Sequence, residues 1–227
     1  MSVLVVAAHP DDEVLGCGGT IARLSGEGTE VDIAILGEGL SSRLDRREMV
    51  DAAALAGLHA DARRAGEMLN ARSVRVIGLP DNRFDELALL DVIKPVERLI
   101  AELAPDTIYT HHPGDLNIDH GITFRAVLTA TRPVSGCVVR HIYAFEVASS
   151  TEWAFQQVAP AFHPNVFVDV RKTIEKKIKA MAVYESEARS FPHPRSADAL
   201  RAQARRWGSV CDLEYAEAFQ LIRSTRV

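Results

Sequence analysis

The segment Ser2 to Ala8, Ser-Val-Leu-Val-Val-Ala-Ala, is apolar without alternation and runs straight into His9-Pro10-Asp11-Asp12-Glu13. A short Val-rich run of this kind reads as a strand buried on both faces, as in a parallel sheet covered by helices. The pattern then repeats. Gly18 to Ser25 reads as a helix ended by Gly26 and Gly28, and Thr29 to Leu36 as a second strand. Gly37 to Arg47 reads as a charged loop. Helical periodicity resumes at Glu48, breaks near Gly57 and continues from Ala60 to Leu69. Further strands are expected at Val74–Leu79, closed by the turn Pro80-Asp81-Asn82, and at Thr107–Thr110, Val138–Val147 and Asn165–Val170. Helices are expected at Asp91–Leu103 and Ile122–Thr131. Strand alternating with helix predicts an α/β fold, a mostly parallel sheet flanked by helices. Residues 171–227 read as a mainly helical C-terminal extension of one domain spanning 1–227, interrupted at Phe191-Pro192-His193-Pro194.

Composition narrows the function classes. A chain of 227 residues, 47% of them hydrophobic, can bury a core without staples. The net charge of -5 and the lack of a Lys/Arg block argue against a broad grip on nucleic acid or anionic lipid. No apolar run approaches the roughly 20 residues of a membrane span. The opening has no basic n-region ahead of its apolar stretch, so no signal peptide is expected. Three widely spaced cysteines, Cys17, Cys137 and Cys211, suit a reducing cytoplasm better than a disulfide framework.

In open α/β sheets ligands bind beyond the carboxyl ends of the strands. Two strands here end in polar clusters: His9 to Glu13, and His111-His112-Pro113-Gly114-Asp115-Leu116-Asn117-Ile118-Asp119-His120. Four of the eight histidines and five acids thus fall at one end of one sheet. A helical turn beginning at Pro10 puts His9 and Asp12 on one face, able to share a metal. His120 is the natural third ligand, which leaves an open position for water as catalytic zinc uses. Asp11 points away from the His9/Asp12 face and is free to act as a base. Taken singly, the histidines could be solvated strand ends, Asp12 and Glu13 dipole partners of a helix, and Asp119 an N-cap. Those readings leave the coincidence of two clusters unexplained.

The run Val5-Val6-Ala7-Ala8-His9-Pro10-Asp11-Asp12-Glu13-Val14-Leu15-Gly16-Cys17-Gly18-Gly19-Thr20 resembles the signature of the PIG-L/LmbE family of zinc-dependent N-deacetylases. The likeness continues through Leu36-Gly37-Glu38-Gly39, Leu79-Pro80-Asp81-Asn82, Asp119-His120 and Tyr215-Ala216-Glu217-Ala218-Phe219. It implies a Rossmann-like, LmbE-like fold, zinc on His9, Asp12 and His120, and Asp11 as general base. A His₂Asp set also takes iron(II). It further implies removal of an acetyl group from an N-acetylated amino sugar such as an N-acetylglucosamine conjugate. Where many members carry a histidine three residues before the third ligand, this chain has Asn117, which can donate to an oxyanion but cannot supply a titratable proton. His112, Asp115 and His193 are candidates for that help or for substrate binding, as is Arg195 in the proline-stiffened segment Ser190–Ser196. Arg43, Arg46 and Arg47 form a solvated face that can also meet an anionic group. Trp153 and Trp207 are isolated aromatics of the kind that line sugar sites. Gly16-Cys17-Gly18-Gly19 fails the dinucleotide template, since Ile21 holds the third glycine position, and reads as close helix packing.

Two other readings use the same residues. A metal-dependent esterase or phosphoesterase would recruit Glu13, Asp115 or Asp119 as further carboxylates. A non-catalytic carbohydrate-binding zinc module would have no use for Asp11 as a base. Self-association is left open by the sequence.

Overall fold

The computed structural model describes residues 2–41, 49, 51–134 and 136–226. In chain order the elements are β1 (Ser2–Ala7), α1 (Asp12–Gly26), β2 (Glu30–Gly37), α2 (Ala52–Met68), β3 (Ser73–Leu79), α3 (Leu89–Leu103), β4 (Thr107–His111), α4 (Ile118–Ala130), β5 (His141–Phe145), β6 (Val166–Asp169), α5 (Ile174–Val183), α6 (Ala197–Val210) and β7 (Ala216–Ser224). The strands form one sheet in the order β3-β2-β1-β4-β5-β7-β6. β1 to β5 are parallel, and β7 runs antiparallel between β5 and β6.

The unbroken apolar character of β1 has the expected cause. Val3, Val5 and Ala7 face one layer with Ile21, Leu58, Ile178 and Tyr184. Leu4, Val6 and Ala8 face the other with Val92, Val96 and Val127. α5 packs on α1 and α2 on the first side, and α3 on α4 on the second. β1 lies between β2 and β4, so the chain order reverses there. The crevice at such a switch point, outside the strands' carboxyl ends, is where this class of sheet places ligands.

Three expectations change. α1 starts at Asp12, six residues before the expected Gly18, and is kinked at Cys17 (φ -148°, ψ 24°). α2 runs through Gly57 without a break, on an exposed face where nothing lies within 4 Å of an added Cβ. The last segment is not only helical: β7 closes the sheet, and its buried Glu217 concealed it from a pattern search for apolar runs. That carboxylate accepts from Gly19 N (3.0 Å), Thr20 N (2.7 Å) and Lys177 Nζ (2.7 Å), while Lys177 Nζ also donates to Leu15 O (2.8 Å). The backbone groups flanking the Cys17 kink are thereby satisfied by buried charges.

The glycines of this turn are packing residues. A Cβ on Gly16 would fall 2.3 Å from a Phe145 ring carbon, and one on Gly19 2.9 Å from Val170 Cγ1. Arg43, Arg46, Arg47 and Glu48 lie outside the described residues.

Candidate metal centre

β1 delivers His9 to the switch point, and the turn that follows sets the rest. Asp11 sits at φ 99°, outside the range most side chains adopt, at a cost of roughly 1–3 kcal/mol. This twist starts α1 at Asp12, whose Oδ2 accepts the His9 backbone N–H at 2.8 Å. The same oxygen lies 3.3 Å from His9 Nδ1 and 3.2 Å from His120 Nε2. One donor atom from each of His9, Asp12 and His120 lies within 4.8 Å of the other two.

The far side of each imidazole is held by a carboxylate. His9 Nε2 is 3.0 Å from Asp119 Oδ2 and 3.3 Å from Asp81 Oδ1. His120 Nδ1 is 3.1 Å from Asp115 Oδ2. Asp119 Oδ1 in turn accepts from Phe84 N (3.0 Å), and Asp115 accepts from Ser150 and from Thr151 Oγ1 (2.8 Å). Carboxylates behind imidazoles fix ring orientation and aim the remaining nitrogen, as metal sites require. Two nitrogens, one oxygen and this supporting shell fit a divalent transition metal.

The charges follow from this crowding. Burial works to raise the Asp12 pKa, but His120, His111 and the hydrogen bonds from His120 and His9 outweigh it and hold it well below the usual range. Burial works to lower His120, yet Asp12 and Asp115 push it up to about 9. His9 is likewise raised against burial by Asp119 and Asp12. Without metal both imidazoles therefore favour the protonated form.

Asp11 differs. Burial raises its pKa well above the ordinary carboxyl value, against the opposing charge of Arg195, and Asp12, Glu187 and Glu13 raise it further. Its Oδ2 accepts from Arg195 Nη1 at 2.7 Å, and among the described residues nothing hydrogen-bonds to Oδ1. Beneath it, Glu13 bridges the Asp11 backbone N–H (3.1 Å) and the Tyr184 hydroxyl (2.6 Å), and burial lifts its pKa to about 7.

A cavity of about 160 Å³ gathers His9, Asp11, Asp12, Asn117, His120 and Arg195. Asn117, not Asp119, caps α4: its Oδ1 accepts Asp119 N at 2.9 Å, and its Nδ2 donates to Asn82 Oδ1 at 2.8 Å. The amide is thus held by two bonds, with one N–H left over. Arg195 lines the same cavity and is held there by Asp11, Glu187 Oε2 (3.0 Å) and Ser149 Oγ (2.8 Å).

The other candidates do not line this cavity. Asp115 is buried behind His120. His112 Nε2 meets Pro160 O at 2.8 Å, away from the ligand cluster. His193 accepts the Arg195 backbone N–H at 3.1 Å and packs edge-on to Trp153.

Sequence reading gave no role to His111. It takes the Ala8 N–H on Nε2 at 2.8 Å, is kept neutral by burial, and stacks on His120 with centroids 3.9 Å apart. Its place at the last residue of β4 was the available signal. Glu187 and Ser149 carried none, being isolated polar residues in unremarkable segments.

Comparison with known proteins adds independent findings. A family described as PIG-L, GlcNAc-PI de-N-acetylase, matches residues 4–131. The chain is 28% identical over 178 residues to the "uncharacterized deacetylase YaiS" of Escherichia coli K12, covering 75% of this chain and 82% of that protein. It is 26% identical over 230 residues to the diacetylchitobiose deacetylase of Thermococcus kodakarensis, covering 97% and 82%. Among solved structures, N,N'-diacetylchitobiose deacetylase from Pyrococcus horikoshii matches with a TM-score of 0.78 at 20% identity, over 98% of this chain and 84% of that one. GalB, the 4-carboxy-2-hydroxymuconate hydratase of Pseudomonas putida KT2440, matches with a TM-score of 0.77 at 22% identity, over 100% and 98%. Those two likenesses show the fold. The reaction has to be read from the site.

Proposed function

The chain belongs to the PIG-L, GlcNAc-PI de-N-acetylase, family, and on that premise we propose that it removes the acetyl group from an N-acetylated amino sugar or glycoconjugate, releasing acetate and a free amine. The observation that carries the reading is the convergence of His9, Asp12 and His120 beside an Asp11 carboxylate whose Oδ1 takes no hydrogen bond among the described residues. Relatives named as deacetylases support the same reaction class.

His9, Asp12 and His120 would hold the metal, for which zinc is our choice. When bound, such a metal polarises the amide carbonyl and acidifies water. Asp11 takes the proton of the attacking water at Oδ1 and carries it to the leaving nitrogen. Arg195 holds Oδ2 so that Oδ1 alone faces the substrate. Asn117 offers its remaining Nδ2–H to the developing oxyanion, its amide plane fixed by Asn82 and the Asp119 backbone.

No helix among the described residues is long and apolar enough to cross a membrane. We assign the protein to the cytoplasm on the strength of three unpaired cysteines. The test is acetate release from a panel of N-acetylated sugars by wild type and Asp11→Ala. Addition of water across a carbon–carbon double bond, the reaction named for one structural neighbour, would yield no acetate and is separated by the same assay.

A further inference from the structure

A second cavity, of about 550 Å³, is lined by neighbours in sequence of metal-cavity residues, though no residue lines both. Ala148 and Thr151 face it where Ser149 and Ser150 face the metal site, and Pro194 faces it where Arg195 faces Asp11. Phe162 and, from α6, Trp207 supply aromatic walls, and Gln156 and Gln203 supply amides. Glu146, just past β5, reaches into it. Its Oε1 accepts the Trp207 indole N–H, and among the described residues nothing hydrogen-bonds to Oε2. Glu152 adds a second carboxylate, with Oε1 on Ser149 N at 2.6 Å. Burial pushes the Glu146 pKa up to about 7, with Glu152 adding to the rise and the Trp207 hydrogen bond and the charges of Lys177 and Arg206 opposing it.

Of the nearby cations, Arg206 itself lines the cavity and Lys177 lies behind it. Lys177 is committed to Glu217 and Leu15 O, and the Arg206 guanidinium stacks 4.2 Å over Trp207. Two carboxylates against one lining arginine leave the cavity net negative and disfavour an anion. A wholly apolar occupant would strand Glu146 against hydrocarbon. A neutral sugar would satisfy Glu146 with one hydroxyl, whereas an ammonium satisfies it with a charge-assisted bond and also meets the field of Glu152.

We propose that this cavity binds a protonated amino sugar, its ammonium on Glu146 and its ring against Phe162 and Trp207. This deepens the deacetylase reading and rests on it for the link to turnover. The substrate class becomes an N-acetylated sugar joined to a second sugar that already carries a free amine.

The chain has two tryptophans, so Trp153→Phe leaves Trp207 as a reporter inside the cavity. In that background glucosamine, N-acetylglucosamine and glucose are titrated at pH 7 against Trp207 emission. Glucosamine should bind saturably and at least about tenfold more tightly than either neutral sugar, as a charged hydrogen bond provides. Glu146→Gln should erase that preference. Glu152→Gln, at an exposed position, should weaken glucosamine by a smaller factor and leave glucose unchanged. No saturable response to glucosamine, equal affinity for glucose, or a preference that survives Glu146→Gln overturns the proposal. Binding needs no turnover, so glucosamine binding without acetate release from any substrate would sink the deacetylase reading alone.

Discussion

Arg195 donates from Nη1 to Oδ2 of Asp11 at 2.7 Å across 184 positions of chain, tying the proline-rich loop before α6 to the turn that follows β1. The contact turns a surface-like segment into part of the site. The same guanidinium meets Glu187 and Ser149, so the loop cannot move without disturbing the carboxylate proposed as base.

The first prediction follows from the sign of that contact. Burial raises the Asp11 pKa and Arg195 opposes it, so removing the guanidinium raises it further. In Arg195→Met the acidic limb of the pH–rate profile should move to higher pH by on the order of 1 unit, with Arg195→Lys in between. A raised KM with an unmoved limb would make Arg195 a substrate-binding residue instead.

Metal binding should be strongly pH-dependent. His120 is raised to about 9 and His9 is raised as well, while ligands must be neutral to coordinate. Binding at pH 7 therefore displaces up to about two protons, and affinity climbs as pH rises toward 9. Calorimetry in buffers of different ionisation enthalpy counts the protons. In the metal-free protein the His120 contribution to stability has the opposite sense. It is fully present below the unfolded value near 6.5 and is lost as pH rises through about 9.

Asn117 caps α4 and, in the proposed reaction, also donates to the oxyanion. Asn117→Ala removes the cap oxygen of α4, at about 1 kcal/mol, and also the amide donor. Asn117→Asp keeps a cap oxygen and removes the donor. Thermal unfolding should drop for Ala and hold for Asp, whereas kcat should fall in both. Activity retained in Asn117→Asp would assign the residue to capping alone.

Glu217 and Lys177 are both buried. Leaving one charge without its partner costs about 3–5 kcal/mol, so Lys177→Met should destabilise by about that much in denaturant unfolding. The Lys177→Met, Glu217→Gln double variant should recover part of the loss.

The sheet and its flanking helices were legible because two-sided burial writes itself as apolar runs, as in Ser2–Ala8. The clustering of His9, Asp12 and His120 was legible because His9 and Asp12 are near in sequence and His120 ends the other cluster. β7 was not, because its Glu217 serves the Cys17 kink from 198 residues away. Nor were the true partners of Arg195 and Asp115. Sequence marks the kinds of side chain near a site, but whether an arginine meets a substrate or a neighbouring carboxylate depends on a loop path that no local pattern encodes. Asp119 was read as a possible cap because it precedes His120. The fold gives the cap to Asn117 and turns Asp119 onto His9.

The central claim is that Asp11 acts as base beside a metal held by His9, Asp12 and His120. Its most direct test compares acetate release from N-acetylglucosamine conjugates by wild type and Asp11→Asn, both loaded to the same measured metal content. The account predicts acetate and free amine in equal amounts from wild type, and a loss of about 10²–10⁴-fold in kcat for Asp11→Asn with its metal retained. Equal turnover by the two proteins at equal metal content would contradict it.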